Sequence, residues 1–453
     1  MNPSFILRAV KDVAFEDRPV PQLKDPWDVR IHVSQTGICG SDVHYWQRGR
    51  IGDFVLESPI ILGHESSGTV VEVGPRVTNV KVGDRVAIEP GVPCRHCDYC
   101  RSGKYNLCAD TVFAATPPHN GTLCKYYSTE SDYCYPIPDH MDMEEAAMVE
   151  PVAVAVQVTK VGQVTAGSTV VVFGCGTIGL LCQAVSKAYS VKRVIGIDIS
   201  QSRTEFAKTF AADDVFIPPP KPQDVVNDHD WSEVVAKMIK DKFDLGDGPD
   251  IVLEATGSQN AIQTGVHLTR KGGMYVQVGM GRENVTFPIT TTCIRDLTIR
   301  GSIRYTTGCY PMAVHLVASG KIDVKRLITN RYKFEQAEEA FELVRQGKES
   351  VIKLSARDWQ TEPKFRQLPN LAYTCGKVGW YQGSGFFLMT ALLNYHWAHN
   401  PELLALPVNK AIAGIASAIV WASSAWYFKR GIKNIGAVVA AMGALQAWAA
   451  FWN

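Results

Sequence analysis

The sequence predicts an α/β protein: a β-rich domain is interrupted by a doubly wound parallel sheet, and a hydrophobic helical extension follows. Three observations predict this class. They are alternating apolar residues near the N-terminus, a strand-then-helix rhythm after about residue 157, and a loss of charge near residue 358. We therefore expect four segments, at residues 1–156, 157–292, 293–357 and 358–453, with the third returning to the first domain.

The N-terminal segment has the pattern of short strands. Trp27, Val29, Ile31 and Val33 alternate with polar residues, a period of two that is typical of a half-buried strand. The stretches GTVVEVG and KVGDRVAIEP continue this pattern with Gly-containing turns. The first domain is therefore predicted to be mostly β-structure.

The second segment has the rhythm of a parallel sheet. The apolar run TVVVF has the length of a buried strand, and a Gly-rich turn and a helix from Thr177 to Tyr189 follow it. VIGID predicts a second strand and residues 202–210 a second helix, after which DIVLEATG and MYVQVG repeat the alternation. This order predicts a doubly wound parallel sheet.

The charge balance argues against two classes of partner. Lys and Arg number 46 and Asp and Glu 45, a formal net charge of +1. Binding to nucleic acid or a polybasic membrane anchor needs an excess of positive charge, so we expect neither. Arg8 interrupts the short apolar stretch at the N-terminus, which argues against a signal peptide. We therefore expect residues 1–357 to fold in a reducing, cytosolic compartment.

Four of the twelve cysteines form one cluster with the spacing C-x2-C-x2-C-x7-C: Cys94, Cys97, Cys100 and Cys108. Disulfides between cysteines so close in sequence are geometrically awkward, whereas one zinc ion can gather four thiolates from a single loop. Four thiolates leave no position for water. The cluster therefore predicts a structural zinc, and the alternative is four unligated thiols.

The turn VVVFGCGTIG predicts a dinucleotide site, because Gly174, Gly176 and Gly179 follow a strand and open a helix. Asp198 ends the next strand, where a carboxylate accepts hydrogen bonds from ribose hydroxyls and repels a 2′-phosphate. This favours NAD over NADP, although Arg203 nearby could soften the preference. The alternative is that Asp198 is a solvated residue at the end of a strand.

A second set of metal-binding residue types is scattered along the chain: Cys39, His64, Glu65 and Glu150. A thiolate, an imidazole and carboxylates suit a catalytic zinc with one exchangeable position. Each residue alone is unremarkable, and the hypothesis depends on their belonging to a larger pattern.

That pattern resembles the zinc-dependent medium-chain polyol dehydrogenases. The likeness covers about residues 5–356 and runs in order through GICGSDVHYW, LGHESSGTV, GDRVAIEPG, the four-cysteine loop, FAATPPHNGTL, VEPVAVA, the Gly-rich turn and GSIRY. It is closest to fungal xylitol dehydrogenases, with sorbitol and L-arabinitol dehydrogenases next. The resemblance implies a GroES-like catalytic domain, a Rossmann domain and a homotetramer.

The resemblance also implies roles for single residues, including two zinc ions per chain. The catalytic zinc is held by Cys39, His64 and Glu65, with Glu150 as a ligand or linked to the metal through water. The residues that would contact the polyol are Tyr45, Phe113, Thr116, Glu150, Arg304 and Tyr305. Those that would contact NAD, besides the three glycines, are Ile178, Asp198, Arg203, Val278, Gly279, Met280, Ser302, Ile303 and Arg304.

The implied reaction is the reversible NAD-dependent oxidation of xylitol to D-xylulose, with zinc as a Lewis acid. Ser41 and His44 follow Cys39 at the spacing of a proton relay in related alcohol dehydrogenases. The alternative is that Ser41 caps the following turn and His44 lies at the surface. Sorbitol and L-arabinitol are alternative substrates, and a hypothesis of a different class is a non-catalytic zinc-binding scaffold on a membrane tail.

The last 96 residues carry only ten charged side chains but seven of the ten Trp. Three uncharged stretches, at residues 378–401, 411–428 and 434–453, predict two or three transmembrane helices, since about 20 apolar residues cross a bilayer. Positive clusters before the first stretch and after the second would face the same side, as expected for a cytosolic enzyme domain. The alternatives are a helical hairpin packed on the body or at a subunit contact, and a spurious fusion with a neighbouring reading frame.

Overall fold

The computed structural model describes residues 1–347 except 224 and 226, the backbone of residues 352–355, and scattered positions between 393 and 444 together with the helix Pro407–Lys429. The chain divides into two compact units, Met1–Arg357 and Asp358–Asn453. The first unit contains both predicted sheets, which confirms the α/β class.

The β-rich domain is built on a seven-stranded sheet. Val29, Ile31 and Val33 are all buried in strand Asp28–Gly37, as their alternation predicts. The strand Ile352–Ser355 pairs antiparallel with Asp28–Gly37, so the chain returns to this sheet after building the second one. In spatial order the strands are Cys134–Pro136, Arg85–Ile88, Glu65–Val73, Asp28–Gly37, Ile352–Ser355 and Asn330–Lys333, with Tyr126–Glu130 also paired to Asp28–Gly37.

Smaller elements complete this part of the chain. The other strands are Asn2–Ala9, Asp12–Arg18 and Ile60–Ile61 in one sheet, and the pairs Arg50–Ile51 with Phe54–Val55 and Gly91–Val92 with Val112–Phe113. The helices are Gly40–Arg48, Asp98–Arg101, Met143–Ala147, Val149–Val161, Cys309–Ala318 and Ala337–Arg345, with 3₁₀ turns at Tyr105–Leu107, Ser131–Tyr133, Val324–Leu327 and Phe334–Gln336.

The second sheet has six parallel strands, in the spatial order Asp214–Phe216, Arg193–Ile197, Thr169–Phe173, Ile251–Glu254, Met274–Gln277 and Thr298–Gly301. Its helices are Thr177–Ala188, Gln201–Phe210, Asp228–Phe243, Gln259–Leu268 and Ile289–Ile294. The strand order reverses between Thr169–Phe173 and Ile251–Glu254. Ligands of such sheets bind at this reversal, beyond the carboxyl ends of the strands.

The parallel sheet extends further than predicted. Strand Thr298–Gly301 pairs with Met274–Gln277, so the predicted boundary at residue 292 is too early. The physical reason is that all four residues of this edge strand are exposed, so their sequence carries no apolar signal. The central strands differ: Val171 and Val172 lie on opposite faces of Thr169–Phe173 and are both fully buried, which explains the continuous apolar run.

The C-terminal unit contains the helix Pro407–Lys429, which includes the predicted stretch 411–428. Among the residues that the structure describes, no helix is both long and apolar enough to cross a membrane. The predicted transmembrane tail is therefore not supported. Ala, Gly and Ser make up much of this helix, and they add little apolar surface per residue. The stretches 378–401 and 434–453 lie largely outside the described residues.

A buried carboxyl joins the four-cysteine loop to the β-rich domain. Glu89 is fully buried, and its carboxylate oxygens accept hydrogen bonds from the hydroxyls of Tyr105 (2.5 Å) and Tyr135 (2.8 Å). Burial raises the pKa of Glu89 from 4.5 to about 7, although the two hydroxyls lower it. Because the charged form is disfavoured, Glu89 makes the folded state less stable as the pH rises through this interval.

We expect Glu89→Gln to remove this pH dependence. Since the folded pKa lies above the unfolded one, the free energy of unfolding of the wild type relative to Glu89→Gln should fall by roughly 3 kcal/mol between pH 4.5 and pH 7 and change little above that. Differential scanning fluorimetry from pH 5.5 to 8 would follow the difference in Tm. The exposed Glu57→Gln is the control, and parallel Tm curves for wild type and Glu89→Gln would contradict the assignment.

Candidate metal centre and cofactor cleft

The register of two strands brings three of the predicted zinc ligands together. In the pairing of Asp28–Gly37 with Glu65–Val73, Gly37 lies opposite Glu65. Cys39, two residues after Gly37, therefore lies beside His64 and Glu65. One donor atom from each of these three side chains lies within 4.8 Å of the other two. Sulfur, nitrogen and oxygen donors at this spacing suit a zinc ion.

Asp42 orients the imidazole of His64, and the sequence analysis did not include it in the site. The Asp42 carboxylate lies 3.3 Å from Nδ1 of His64 and also accepts a hydrogen bond from the Gly63 amide at 3.0 Å. This leaves Nε2 of His64 for a metal. Burial alone would lower the pKa of His64, but Asp42 and Cys39 raise it well above the usual value. The signal in the sequence is a single acidic residue in the first turn of helix Gly40–Arg48.

Glu150 lies next to this group but outside the set of atoms within 4.8 Å. It is buried in helix Val149–Val161, close enough to His64 and Glu65 for their charges to act on it and next to the Tyr305 hydroxyl. Burial raises the pKa of the Glu150 carboxyl, while His64 and Tyr305 lower it. A cation here would favour its ionised form.

Several residues predicted to contact the polyol lie close to one another beside the metal centre. Burial raises the pKa of the Tyr45 hydroxyl, and the neighbouring Thr116 side chain lowers it. The guanidinium carbon of Arg304 lies 4.2 Å from the centre of the Phe113 ring, and that ring lies 5.9 Å from the ring of His64. This region therefore brings hydroxyl and guanidinium groups next to an aromatic ring.

Two further side chains of this region were not predicted. Phe54, on the short hairpin Arg50–Ile51 with Phe54–Val55, lies 5.7 Å from the guanidinium of Arg304 on another side. Arg48 accompanies His44 along one wall of a cavity of about 670 Å³. A single exposed Phe in a two-residue strand and an exposed Arg at the end of a helix give no signal that sequence reasoning could have used.

Ser41 and His44 lie on helix Gly40–Arg48, three residues apart and hence on one face. His44 lines the 670 Å³ cavity, whose other wall is formed by residues 256–260 and 280–283 of the parallel-sheet domain. Burial lowers the pKa of His44, and the nearby charge of Arg48 lowers it further. His44 thus borders the cavity at the carboxyl edge of the sheet and is neutral at pH 7.

The Gly-rich turn has the close packing that the motif predicts. Gly174 has a φ of +94°, and a Cβ on Gly179 would lie 1.8 Å from the Gly174 carbonyl oxygen. A Cβ on Gly176 would contact nothing within 4 Å, so this glycine is not required by the protein's own packing. Open space above Gly176, next to the start of helix Thr177–Ala188, fits a pyrophosphate. Ile178 lies in the first turn of that helix.

Asp198 links the turn to a second cavity of about 670 Å³. Its carboxylate accepts hydrogen bonds from the amides of Cys175 (2.8 Å) and Ser200 (2.9 Å). Arg203 lines the same cavity, and its guanidinium donates to the Gly347 carbonyl. Both side chains therefore border the cavity, but the guanidinium of Arg203 is engaged by the Gly347 carbonyl.

The remaining predicted cofactor contacts follow the last two parallel strands. The segment Val278, Gly279, Met280 passes so close to Gly257 that a Cβ on Gly279 would lie 2.2 Å from its nitrogen. Ser302 follows strand Thr298–Gly301 and donates its amide to the Gln277 carbonyl. The hydroxyl of Ser302 is buried and has no hydrogen-bond partner within the described part of the chain, which fits a cofactor group at this edge.

The four cysteines of the loop 94–108 also converge, with their sulfur atoms within 4.8 Å of one another. The amides of Cys94 and Cys97 point at sulfur atoms of the cluster, at 3.4 Å from Cys108 and 3.3 Å from Cys94. Such amide donors stabilise thiolates. The donor set fits a closed, structural zinc site, and no disulfide occurs among the described cysteines.

Comparisons with known proteins agree with this arrangement. The model for the alcohol dehydrogenase GroES-like domain matches residues 25–139, and that for the zinc-binding dehydrogenases matches residues 177–319. The D-xylulose reductase A of Aspergillus oryzae is 52% identical over 347 residues, which cover 77% of this chain and 94% of that protein. The "probable D-xylulose reductase A" of Aspergillus clavatus is 51% identical over the same length and coverage.

A solved structure supports the same fold. That of L-idonate 5-dehydrogenase from Escherichia coli is 29% identical, with a TM-score of 0.69, and the match covers 78% of this chain and 98% of that one. Both family models, the relatives at half identity and the converging donor set agree with one another. The chain therefore belongs to the zinc-dependent medium-chain polyol dehydrogenase family that its motifs resemble.

Proposed function

We propose that the chain interconverts xylitol and D-xylulose with NAD as the redox cofactor. The observation that carries this proposal is the convergence of Cys39, His64 and Glu65 beside the side chains of Tyr45 and Arg304. The names of the relatives at half identity, D-xylulose reductase A, support this substrate over other alcohols.

We infer that the chain holds two zinc ions, one by Cys39, His64 and Glu65 and one by the four cysteines of the loop. Glu150 binds the first ion directly or through a water molecule. When bound, this zinc supplies a Lewis acid for the substrate hydroxyl and NAD⁺ supplies the hydride acceptor. Asp42 keeps Nε2 of His64 directed at the metal site.

The chain's own side chains orient the polyol. Tyr45, Thr116 and Arg304 offer hydroxyl and guanidinium groups for hydrogen bonds to the hydroxyls of the sugar alcohol, and Tyr305 lies beside Glu150 at the base of the pocket. The Phe113 ring covers one side and keeps water away from the reacting carbon. Which polyol fits best depends on these contacts, because one mismatched hydroxyl changes selectivity strongly.

The proton of the oxidised hydroxyl leaves through Ser41 and His44. Ser41 takes part as a hydroxyl donor and acceptor, and His44 accepts the proton because its imidazole is neutral at pH 7. His44 lines the open cavity and can pass the proton to water. NAD is preferred over NADP because Asp198 faces the ribose subsite while Arg203 is held at the Gly347 carbonyl.

A homo-oligomer is part of the same proposal. The edge strand Thr298–Gly301 is exposed, and Ile294, Ile299 and Ile303 on and around it are also exposed. An exposed edge strand flanked by apolar side chains is a surface that proteins cover by pairing.

The first prediction from this proposal concerns the substrate and the metal. With xylitol, sorbitol, L-arabinitol and ribitol as candidates, we expect the purified protein to reduce NAD⁺ at 340 nm fastest with xylitol. Cys39→Ser should lower kcat/KM more than about 100-fold and remove about one zinc per chain by metal analysis, because it removes a metal ligand. The exposed Cys293→Ser is the matched control. An absence of NADH with all four polyols would instead favour a non-catalytic scaffold.

A second prediction separates folding from cofactor binding with two neighbouring glycines. Gly176→Ala has room for its Cβ, so its Tm should stay within about 2 °C of the wild type, yet its Kd for NADH should rise about tenfold or more because the methyl group blocks the pyrophosphate. Gly179→Ala should lower Tm by several degrees because its Cβ collides with Gly174. Fluorescence titration with NADH measures the first effect, and an unchanged Kd for Gly176→Ala would contradict the cofactor site.

A third prediction tests the proton relay. Ser41→Ala should lower kcat about 10- to 100-fold with the KM for NAD within about twofold of the wild type, because it interrupts proton transfer and not cofactor binding. Polyol oxidation should increase with pH through a pKa below the usual value of histidine, since His44 must be neutral to accept the proton. The exposed Ser58→Ala is the control, and unchanged turnover in Ser41→Ala would exclude Ser41 from the relay.

A further inference from the structure

The four-cysteine loop contacts the backbone of the substrate segment directly. The loop ends in the 3₁₀ turn Tyr105–Leu107, immediately before Cys108. From this turn, the side-chain amide of Asn106 donates a hydrogen bond of 3.1 Å to the Ile303 carbonyl oxygen. The two residues are 197 positions apart in sequence, so this bond joins the loop to a distant segment of the chain.

The position of this hydrogen bond matters because of the residue that follows. Arg304 has a φ of +53°, in the left-handed region that residues other than glycine rarely adopt. The Ile303 carbonyl belongs to the peptide group that joins Ile303 to Arg304. A hydrogen bond to that carbonyl therefore restrains the peptide plane that precedes Arg304, and φ of Arg304 is measured from this plane. The guanidinium of Arg304 can then lie against Phe113 in the pocket.

A second chain of contacts runs from the same turn to the base of the pocket. Tyr105 donates to the buried carboxylate of Glu89, which also accepts from Tyr135. The Tyr135 ring stacks on Tyr310 with centroids 5.0 Å apart, and Tyr310 packs edge-on against Tyr305 at 5.1 Å. Two adjacent residues of one turn thus connect the loop to this segment: Asn106 to the peptide group before Arg304, and Tyr105, through the chain of contacts, to Tyr305.

We propose that the four-cysteine loop positions the substrate-binding segment 303–305, with Asn106 as the positioning residue, so that a loop closed around its metal tightens polyol binding. This inference rests on the proposed function, because it takes Arg304 and Tyr305 as polyol contacts. A loop that served stability alone would affect Tm and metal content without separating the KM values of the two substrates. A loop that positions residues 303–305 would instead raise the KM for the polyol and leave the KM for NAD unchanged.

The test uses the full-length, metal-loaded protein and the variant Asn106→Asp, which keeps the shape of the side chain but cannot donate to Ile303. Loss of one such bond is worth about 1 kcal/mol, so we expect the KM for xylitol to rise about 5- to 10-fold. The KM for NAD should stay within about twofold and the zinc content should be unchanged. Asn106→Ala, which adds no charge, should shift the KM for xylitol in the same direction. Arg101→Gln, at an exposed position of the same loop, is the matched control.

A measurement on the metal complements the kinetics. Coupling between two sites is reciprocal in their binding free energies, so saturating xylitol with NADH should protect the loop's zinc: its affinity, measured by equilibrium competition with a chromophoric chelator, should rise about threefold or more in the wild type. In Asn106→Asp this protection should fall below about twofold. The measurement does not depend on turnover.

The outcomes separate the two proposals. An active wild type with an unchanged KM for xylitol in Asn106→Asp, or equal rises in both KM values, overturns the positioning role and leaves the proposed function intact. A wild type that oxidises none of the four polyols overturns the proposed function, and the positioning role with it.

Discussion

The site depends on one constraint, the register between strands Asp28–Gly37 and Glu65–Val73. Because Gly37 lies opposite Glu65, the residues that follow one strand meet those that begin the other. A shift of one residue would turn Glu65 to the other face of the sheet and separate it from Cys39. The pairing passes two irregularities, between Arg30 and Ile31 and between Val33 and Gln35, before it reaches Gly37. Buried residues such as Val29 and Ile31 anchor the same strand in the core.

Burial determines how readily the side chains of this donor set ionise. His64, Glu65 and Glu150 are all at most 7% exposed, and burial raises the pKa of Cys39 and of Glu150. Without a cation, burial disfavours the ionised forms of the Cys39 thiol and the Glu150 carboxyl. A divalent ion reverses this preference, because it favours the deprotonated form of every ligand around it. The arrangement is costly for a purely structural core and well suited to a metal.

Much of the fold could be predicted because its signals are local. The run Thr169–Phe173, the glycines of the turn and the alternation around Ile31 each encode an element within a few residues. The edge strand Thr298–Gly301 could not be predicted, since its exposed side chains follow no apolar pattern. The prediction of transmembrane helices in the tail is not supported, for a different reason. A low density of charge is compatible both with burial in a protein and with a membrane, and only the packing of the helix distinguishes them.

The site was predictable to a similar degree. The ligands stand in recognisable motifs, whereas Asp42 and Asn106 act through contacts that no spacing encodes. Asp42 is identified by the 3.3 Å to His64, and Asn106 by its bond to a carbonyl 197 residues away. Such partners come from tertiary structure alone, because a single polar residue in a loop has many possible neighbours.

The two sheets contribute differently to the proposed sites for the cofactor and the polyol. The central strands of the parallel sheet are buried on both faces, and its glycine turn tolerates little alteration at Gly179, where an added Cβ would lie 1.8 Å from the Gly174 carbonyl oxygen. The proposed polyol contacts instead come from segments that leave a sheet: the residues after Gly37, the loop around Phe113, and the stretch after Gly301 that holds Arg304. One of them, the stretch after Gly301, accepts a hydrogen bond from Asn106. Members of one family can therefore keep the cofactor turn and the metal ligands while the pocket changes with the loops that support it.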